Sequence, residues 1–416
     1  MTSTRRIGLS LGADLCWPVF YEDIMERLAP EVTVAGEKIR FEVERVTIEP
    51  FDLRQPVGYD VLLDRLTPWY HTSREWIKKA IVQNDLYSLN NPFSLQSMEK
   101  HTSYAAMMRL GMPIPTTYLL PPKDYKEDLP DLELTLESYA RMFDLAEIGE
   151  EVGYPAFLKP YDGGGWRGIS KVRNAEELQQ AYDSSGTDLM HLQAAVEPFD
   201  LFVRVLAVGP QVNVIRYDPD MPIHDRYRVD FDFVNDAEWS HLHDLAMTIN
   251  SFFGWDFNSV EALRKDGVFH PIDFANANPD SQVTSLHYHI PWLVKSLIKW
   301  SLYCAATQRR MRHHVEWTPF FLIADSDAPF EEKLAAYAEI AAERYETLRF
   351  EEFCAKHLGA LDEITWDYFT TDRAHTAVER KVSVLFPEHE VRQYTEHFWG
   401  LLQFWRKTER DRIDSR

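Results

Sequence analysis

A stretch that combines a strand, a lysine and glycines over residues 153–168 has the residue types that could hold a polyphosphate. Its apolar run ends at Lys159, three consecutive glycines follow from Gly163 to Gly165, and Gly168 precedes an apolar return strand. Glycines let backbone N–H groups approach an anion, and a lysine adds a point charge beside it. The spacing matches neither the Walker loop nor the dinucleotide-binding fingerprint. The alternative is a flexible hairpin with an incidental lysine.

A predicted hairpin over residues 256–274 carries carboxylates on its two arms. Glu261 and Asp273 stand twelve residues apart, and counting back from a four-residue turn, Arg264–Gly267, places them roughly opposite one another. Asn276 follows closely. Carboxylate and carboxamide oxygens are the hard ligands that Mg²⁺ takes when it also bridges phosphates. The set predicts a magnesium site, and the alternative is a hairpin end with asparagines as turn residues.

Two arginines stand on otherwise apolar strands that form another predicted hairpin. Arg204 lies in the strand 201–208 and Arg216 in the strand 212–217, with a Gly-Pro turn between them. A strand arginine is usually on a solvated face. Two of them around one hairpin, in a chain with an excess of acidic residues, favour a shared anion.

A third group of polar residues, Arg65, His71 and Arg74, follows the predicted buried strand 60–64. Loops at the carboxyl ends of strands in α/β domains often bind ligands. These three residues are therefore candidates for contacts with an acceptor substrate. The alternative is an ordinary connection with a half-buried aromatic anchor.

The composition of the chain limits the partners and the cellular compartment that we expect. The chain has 416 residues with 44 basic and 66 acidic side chains, a net charge of −22 that repels nucleic acid and anionic membranes, although a nucleotide could still bind a local cationic pocket. Three distant cysteines, Cys16, Cys304 and Cys354, argue against a disulfide framework. No signal-peptide core or run of ~18 apolar residues is present. We expect a cytoplasmic protein with neither nucleic acid nor membrane as partner.

The elements that must position these residues alternate between strand and helix, which predicts an α/β (α+β) protein. Lys100 stands on a predicted helix that follows an Asn-Pro turn, and residues beyond 290 read as helical. Strands are predicted at residues 6–12, 41–48, 60–64, 112–120, 156–158, 169–172, 189–197, 201–208, 212–217, 256–262 and 268–274, and helices at residues 20–28, 95–110, 134–152, 174–184 and 236–254.

The order of these features resembles the ATP-grasp superfamily, the nucleotide-binding fold of glutathione synthetase, D-alanine–D-alanine ligase and the ribosomal-protein glutamate ligases. A helix lysine comes first, then a lysine before a glycine-rich hairpin, a polar strand exit, an arginine-bearing hairpin and the carboxylate hairpin. The resemblance implies an ATP-grasp domain over 91–290, with a lid hairpin near 153–172. It also implies a Rossmann-like pre-ATP-grasp domain over 1–90 and a helical C-terminal extension over 291–416.

The resemblance assigns roles at matching positions. The implied contacts are Lys100 and Lys159 with the α- and β-phosphates of ATP; Gly163, Gly164, Gly165 and Gly168 as the lid; Gln193, Ala194, Ala195 and Val196 as the hinge on adenine; Glu197 or Asp200 with the ribose; Glu261, Asp273 and Asn276 with one or two Mg²⁺, or Mn²⁺; and Arg204 and Arg216 with the transferring phosphoryl group.

The sequence also departs from the family pattern. Family members usually carry Glu-x-Asn before a proline, whereas here two residues separate Asp273 from Asn276, which leaves Asn276 or Asn278 as the ligand. Gln193 and Ala194 stand where a hinge glutamate is common. The runs Asn-Asn-Pro-Phe, Lys-Pro-Tyr-Asp-Gly-Gly-Gly-Trp and Ile-Asp-Phe are similar to those of a bacterial group of unassigned function. The resemblance thus indicates the chemistry better than the substrates.

The reaction that the resemblance implies is ADP-forming ligation of a small-molecule carboxylate to an amine, or to a thiol, through an acyl phosphate with Mg²⁺. A small-molecule kinase on the same fold is one alternative, and a non-catalytic ATP-binding regulator is another. An inositol polyphosphate site would be strongly basic, and this chain is acidic. Superfamily members are often dimers, so a homodimer is a further expectation.

Overall fold

The computed structural model describes residues 2–12, 14–48, 50–67, 70–94, 100–125, 131–132, 134, 143–161, 168–276, 278–312 and 315–414. The chain forms two compact units, each built from separated segments. The first unit contains Met1–Leu95, Val203–Val260 and Asn276–Arg416, and the second contains Gln96–Phe202 and Glu261–Ala275. The division into three consecutive domains stays a prediction.

The described strands, in chain order, are β1 (Thr2–Ser10), β2 (Glu31–Val34), β3 (Glu37–Arg45), β4 (Val61–Asp64), β5 (Tyr87–Leu89), β6 (Thr117–Leu120), β7 (Ala156–Pro160), β8 (Ser170–Val172), β9 (Met190–Ala194), β10 (Leu201–Val208), β11 (Gln211–Arg216), β12 (Phe257–Lys265) and β13 (Val268–Asp273). Most coincide with predicted strands to within a few residues, whereas β2 and β5 were not predicted.

The described helices are α1 (Trp17–Leu28), α2 (His71–Asn84), α3 (Lys100–Arg109), α4 (Leu145–Val152), α5 (Ala175–Asp183), α6 (Asp236–Phe253), α7 (Val283–Leu286), α8 (Ile290–Ala306), α9 (Thr318–Ala324), α10 (Phe330–Tyr345), α11 (Thr347–His357), α12 (Leu361–Tyr368), α13 (Asp372–Leu385) and α14 (Val391–Asp414). The predicted helices 95–110 and 134–152 extend over residues outside those described. In the described ranges, no helix is long and apolar enough to span a bilayer.

The first unit begins with a five-stranded sheet in the order β2-β3-β1-β4-β5. β1 pairs in parallel with β3 and β4, and β4 pairs in parallel with β5. All four residues of β4 are buried, as is common for central parallel strands that are covered on both faces. This unit also contains the hairpin of β10 and β11 and the helices from α6 onward. The mixed α/β character predicted for the N-terminal region is confirmed.

The second unit contains an antiparallel sheet in the order β6-β9-β7-β8. Its core includes Leu158 on β7, Leu192 on β9 and Leu178 on α5. Asn174 caps the N-terminus of α5, because its side chain accepts a hydrogen bond from the Glu177 N–H at 2.9 Å. Because successive side chains of a strand point to opposite faces, this sheet places alternate side chains of β7 and β9 on the same face.

The hairpin of β12 and β13 has a shorter turn than predicted. Asp266 and Gly267 alone form the loop, with φ angles of 51° and 77°. Two positive φ angles are typical of the type I′ turn, whose twist matches that of antiparallel strands. A register shift between Glu261 and Ala262 then brings Glu261 opposite Asp273. The prediction that the two carboxylates face one another is confirmed, but the four-residue turn was wrong.

Candidate functional site

Two buried lysines lie at the centre of the candidate site in the second unit. Lys100 begins α3 and Lys159 lies near the end of β7; they are 5% and 7% exposed. The N–H of Lys100 donates to the Tyr161 carbonyl at 3.2 Å, which ties the start of α3 to the end of β7. Lys100 is therefore not a solvated surface lysine, as most helix lysines are. Lysines are rarely this buried unless they are paired.

Each ammonium has a polar partner. The Lys159 Nζ donates to the Gln193 Oε1 at 2.7 Å, and the Lys100 Nζ forms an ion pair with the Asp273 carboxylate. The Gln193 amide nitrogen in turn donates to the Thr117 Oγ1 at 3.0 Å. This chain of contacts holds Lys159 in one orientation and places positive charge beside the carboxylate hairpin.

The environment of Lys159 disfavours its charged form. Burial, and after it the neighbouring Lys100 charge, lowers the pKa of this lysine to about 8. Asp273 and Glu261 act in the opposite direction. A bound polyanion would favour the protonated lysine, so this buried ammonium is suited to an anionic ligand.

A buried histidine, missed in the sequence, belongs to the same group. His191 is fully buried, stands opposite Lys159 in the β7–β9 register, and packs edge-on against Tyr104 with ring centroids 5.5 Å apart. Burial, followed by the Lys159 and Lys100 charges, lowers the pKa of His191 to about 3. The imidazole is therefore neutral at ordinary pH. Strand alternation could have found it, since His191 and Gln193 lie two residues apart on one face of β9.

The carboxylates lie across from one another on the β12–β13 hairpin, with Glu261 and Asp273 in register. The Tyr104 hydroxyl donates to the Ile272 carbonyl at 2.7 Å beside them. Burial raises the pKa of Tyr104 well above its usual value, and the charges of Asp273 and Glu261 raise it further. The second unit thus sets two carboxylates beside two lysines and a tyrosine that stays protonated.

This donor set fits Mg²⁺ only in part. Two carboxylates supply hard oxygens, and phosphates and waters commonly complete the shell of this ion. Within the described residues, no group of three or more His, Cys, Asp or Glu side chains converges as a metal site. Asn276 lies in the first unit, where its amide nitrogen donates to the Ser259 carbonyl at 3.3 Å. The choice between Asn276 and Asn278 stays a prediction.

The predicted adenine hinge, residues Gln193 to Val196, is held tightly in the sheet. The Ala194 N–H donates to the Thr116 carbonyl at 2.9 Å, and the Ala195 N–H donates to the Pro155 carbonyl at 3.0 Å. Two hinge N–H groups are thus already engaged, so they are not the donors that would read an adenine edge. Val196 is buried. The role of these four residues stays a prediction.

The two candidate ribose ligands carry different partners. Glu197 accepts from the Lys171 ammonium at 2.5 Å, and its backbone carbonyl accepts from Lys265 at 2.8 Å. Asp200 pairs with Arg264 at 2.7 Å. Hydrogen bonding to Arg264 lowers the pKa of Asp200. Both carboxylates thus already have basic partners, and the ribose contact of either one stays a prediction.

Of the predicted glycine lid, Gly163, Gly164 and Gly165 lie outside the described residues. Gly168 is described and has a φ angle of +70°, a backbone conformation that side-chain-bearing residues rarely adopt. A Cβ there would lie 2.8 Å from the Cγ of Pro160. Gly168 is thus required by backbone shape, whatever its role toward a ligand.

The two strand arginines belong to the first unit and do not point the same way. Val203 stands opposite Arg216, and Arg204 stands opposite Ile215, so Arg204 and Arg216 leave opposite faces of the hairpin. The Arg204 guanidinium packs over Tyr217 and Tyr227, and Arg216 pairs with Asp230 at 2.7 Å. The register argues against one anion shared by both arginines. Their catalytic role stays a prediction.

The three candidate substrate residues also lie in the first unit. Arg65 pairs with Asp14 at 3.1 Å and donates to the Pro279 carbonyl at 2.9 Å, with its side chain only 11% exposed. Arg74 donates to the Thr67 carbonyl at 3.2 Å, whereas His71 is exposed at the start of α2. Arg65 thus joins separate segments of this unit, and the substrate contacts of all three residues stay a prediction.

Comparison with known proteins relates part of the chain to a ligase. No protein-family model matches the chain. A curated D-alanine–D-alanine ligase from Bacillus pumilus is 28% identical over 157 residues, which is 35% of this chain and 40% of the ligase. The chain therefore aligns with less than half of that relative's length.

Solved structures of two other proteins align over more of the chain at lower identity. An ATP-grasp RimK domain protein from Sphaerobacter thermophilus has a TM-score of 0.47 at 12% identity, covering 71% of this chain and 99% of that protein. An ATP-bound D-alanine–D-alanine ligase from Bacillus anthracis has a TM-score of 0.46 at 11% identity, covering 83% and 99%.

Lys100 and Lys159 lie beside the opposed carboxylates of Glu261 and Asp273, as the resemblance implies. The relative that aligns with part of the chain is a D-alanine–D-alanine ligase, one of the enzymes that the sequence resembles. The resemblance of this chain to the ATP-grasp superfamily is confirmed.

Proposed function

We propose that the chain is an ATP-dependent, ADP-forming ligase that joins a small-molecule carboxylate to an amine, or to a thiol, through an acyl phosphate. The observation that carries this proposal is the pair of buried lysines, Lys100 and Lys159, set beside the Glu261–Asp273 hairpin. Buried ammonium groups and paired carboxylates together suit a phosphate chain with its metal. The D-alanine–D-alanine ligase relative supports the same class of reaction.

The lysines have the clearest role within this proposal. Both ammonium groups would contact the α- and β-phosphates of ATP. Lys159 is already oriented by Gln193 at 2.7 Å, so little side-chain freedom remains to be lost on binding. His191, which stands opposite Lys159 on the neighbouring strand, is neutral and adds no competing positive charge.

Glu261 and Asp273 would hold one or two Mg²⁺, or Mn²⁺, with Asn276 or Asn278 as a third ligand. When bound, the ion would offset negative charge on the phosphates as the phosphoryl group moves. Asp273 would then share its charge between the metal and the Lys100 ammonium.

The chemistry requires no protein nucleophile. A substrate carboxylate oxygen attacks the γ-phosphorus, the bond from that phosphorus to the β,γ-bridging oxygen breaks, and ADP leaves. An amine nitrogen then attacks the acyl carbon, phosphate leaves, and the nitrogen loses a proton. The protein supplies positioning and charge stabilisation. The glycine lid is a part of the proposal carried over from the family resemblance. The same holds for charge stabilisation of the phosphoryl group by Arg204 and Arg216, although the hairpin register lets only one of the two face a given anion.

The test is a reaction of the purified chain with Mg·ATP and pools of small carboxylates and amines, followed by ADP assay and untargeted mass spectrometry. We expect ADP together with a new mass equal to acid plus amine minus water. A matched pair of variants, Lys159→Met at the site and Lys407→Met at an exposed helical position, distinguishes a reaction at the lysine site from the activity of a contaminating enzyme. Only the first variant should lose the product.

The other outcomes decide against the proposal. A product that carries only an added phosphoryl group would identify a small-molecule kinase. Binding of ATP without turnover in any substrate pool would indicate a regulator. Equal product from the Lys159→Met variant and the wild type would show that the lysine site is not the site of reaction.

A further inference from the structure

A second charged site lies entirely within the first unit, apart from the lysines and the carboxylate hairpin. It is a pocket of about 260 Å³ between the start of the loop after β5, the end of α6, residues 307–312 after α8, and the junction of α10 with α11. Five arginines line it: Arg309, Arg310, Arg312, Arg344 and Arg349.

The charge of this lining is opposite to that of the chain as a whole. Against five guanidinium groups, the described lining holds one carboxylate, that of Glu346. Three further carboxylates act on the arginines from outside the lining: Asp256 lies 3.4 Å from Arg344, Asp85 lies 3.9 Å from Arg310, and the Glu343 charge acts on Arg312. In a chain of net charge −22, five arginines with four carboxylate neighbours still carry an excess of positive charge.

Arg344 is the feature that points most directly to a ligand. Its side chain is more than nine-tenths buried, and within the described residues its Nε has no hydrogen-bond partner. A buried guanidinium N–H without an acceptor costs free energy unless an acceptor arrives. Arg344 lines the pocket, so an anion bound there would lie beside a buried guanidinium charge whose acceptors are incomplete.

Hydrogen bonds within the fold explain the positions of only some of these five arginines. Arg309 donates to the backbone carbonyl of Arg344 near the end of α10 and to the Tyr87 hydroxyl at 3.1 Å, so it has a structural role. Within the described residues, the Arg312 side chain makes no such hydrogen bond and is largely exposed, while its backbone carbonyl accepts from Asn91 at 2.7 Å. Partial burial lowers the pKa of Arg312, and the neighbouring Arg344 and Arg309 charges lower it further, which places several positive charges around this side chain.

We propose that this arginine pocket binds a small phosphate-bearing anion. Guanidinium groups match phosphate oxygens with two parallel hydrogen bonds, and several of them around one cavity favour a group with more than one negative charge. The volume lies just below the ~300–1,000 Å³ of typical drug-sized sites, which suits a phosphate ester or pyrophosphate rather than a larger ligand. This site does not depend on the ligase reaction.

The test uses inorganic pyrophosphate, titrated calorimetrically into the full chain with EDTA present to remove divalent metal. Four proteins are compared: the wild type, Arg312→Gln in the pocket, Lys159→Met at the lysine site, and Arg380→Gln as an exposed control on α13. We expect the Arg380→Gln variant to bind as the wild type does. Lys159→Met removes the lysine site as a second source of pyrophosphate binding, and binding at the arginine pocket should persist in this variant. The Arg312→Gln variant should bind about tenfold more weakly, because one charge-assisted contact is lost.

Arg349→Gln serves as a second pocket variant, since Arg349 is an exposed side chain that contacts Glu346 at 3.0 Å and its loss should not impair folding. Thermal unfolding without ligand checks that each variant is folded. The proposal is overturned if the wild type takes up no pyrophosphate at about 5 mM. It is equally overturned if Lys159→Met abolishes the binding, or if both pocket variants bind as the wild type does.

Discussion

At the scale of single residues, the charged Lys159 lowers the free energy of unfolding while it suits an anionic ligand. Its folded pKa of about 8 lies below the ordinary value of 10.5, so the folded state disfavours the ammonium form. The cost is fully present below pH 8 and disappears as pH rises toward 10.5, where the unfolded chain also loses its proton. A group that destabilises the fold at neutral pH is a reasonable candidate for ligand binding.

Replacement of this lysine by methionine should therefore separate binding from stability. Lys159→Met keeps the apolar stem, removes the buried charge and leaves the Gln193 oxygen without its donor. These two effects on the fold have opposite signs, so we expect the free energy of unfolding at pH 7 to change by less than about 1 kcal/mol. ATP affinity should fall about 10- to 100-fold, the worth of one charge-assisted bond. Urea unfolding and ATP titration check both numbers.

The same lysine predicts a pH dependence of ATP binding. Below pH 8 the ammonium is charged and attracts phosphate, and above pH 8 the free protein loses that proton. ATP affinity of the wild type should therefore weaken between pH 7 and pH 9.5. The Lys159→Met variant has no proton to lose at this position, so its weaker affinity should stay level. A parallel decline in both proteins would assign the titration to another group.

Residue types and spacing were enough to locate several of these groups. Lys159, Glu261 and Asp273 were recognised because a lysine before glycines and two carboxylates on one hairpin are unusual combinations. Strand alternation places His191 on the same face of β9 as Gln193, but its position opposite Lys159 depends on the pairing of β7 with β9. The burial of Lys100 likewise depends on the contact of α3 with β7, and the segments in both contacts are distant in the sequence. The arginine pocket draws on four separated segments for the same reason.

At the scale of elements, the β12–β13 hairpin shows that turn and bulge together set the geometry of a site. Asp266 and Gly267 make a two-residue turn, because aspartate and glycine both tolerate the positive φ angles that this turn requires. Without the register shift beside Glu261, that turn would set Glu261 opposite Ile272 rather than Asp273. The sequence spacing indicated the right pair from the wrong turn, because local spacing does not reveal a bulge.

This hairpin supplies its own control for the proposed metal role. Asp273→Asn removes the charge that faces Glu261 and Lys100, so we expect ATP affinity to persist in part while turnover falls at least 100-fold. Asp266→Asn makes the same chemical change at the turn, where asparagine tolerates positive φ, and should leave turnover unchanged. Steady-state ADP formation compares them. Wild-type turnover in Asp273→Asn would exclude the carboxylate from the reaction.

Helix α6 offers a purely structural comparison. Asn235 caps it by accepting from the Glu238 N–H at 2.9 Å, and the Glu238 carboxylate accepts from the Asn235 N–H at 3.0 Å. Asn235→Ala should lower the free energy of unfolding by about 1 kcal/mol, while Asn235→Ser should restore most of it. ATP affinity should be the same in all three proteins. Denaturant midpoints give the stability, and an unchanged midpoint in the alanine variant would contradict the capping role.

At the scale of the whole molecule, net charge is the property that sequence alone defines completely. A charge of −22 makes the folded chain repel itself, and an expanded chain relieves that repulsion. Added salt screens this repulsion, but it also weakens the exposed ion pairs that stabilise the fold. Each of these pairs contributes only about 0–1 kcal/mol. Those observed here include Arg54 with Asp52 and Arg173 with Glu177. Self-repulsion should therefore dominate the response to salt.

We expect added NaCl to stabilise the fold at neutral pH and to lose that effect near the isoelectric point. Raising NaCl from 10 to 200 mM shortens the Debye length from about 30 Å to below 10 Å, which screens most of the repulsion between distant carboxylates. The melting temperature at pH 7.5 should then rise by several degrees. At pH 5, close to the sequence pI of about 5.1, positive and negative charges nearly balance and the same salt step should change it little. Because general salt effects on apolar burial act at both pH values, the difference between the two shifts isolates the charge term. A larger rise at pH 5 than at pH 7.5 would mean that specific ion pairs or anion binding, rather than net repulsion, governs the stability of this chain.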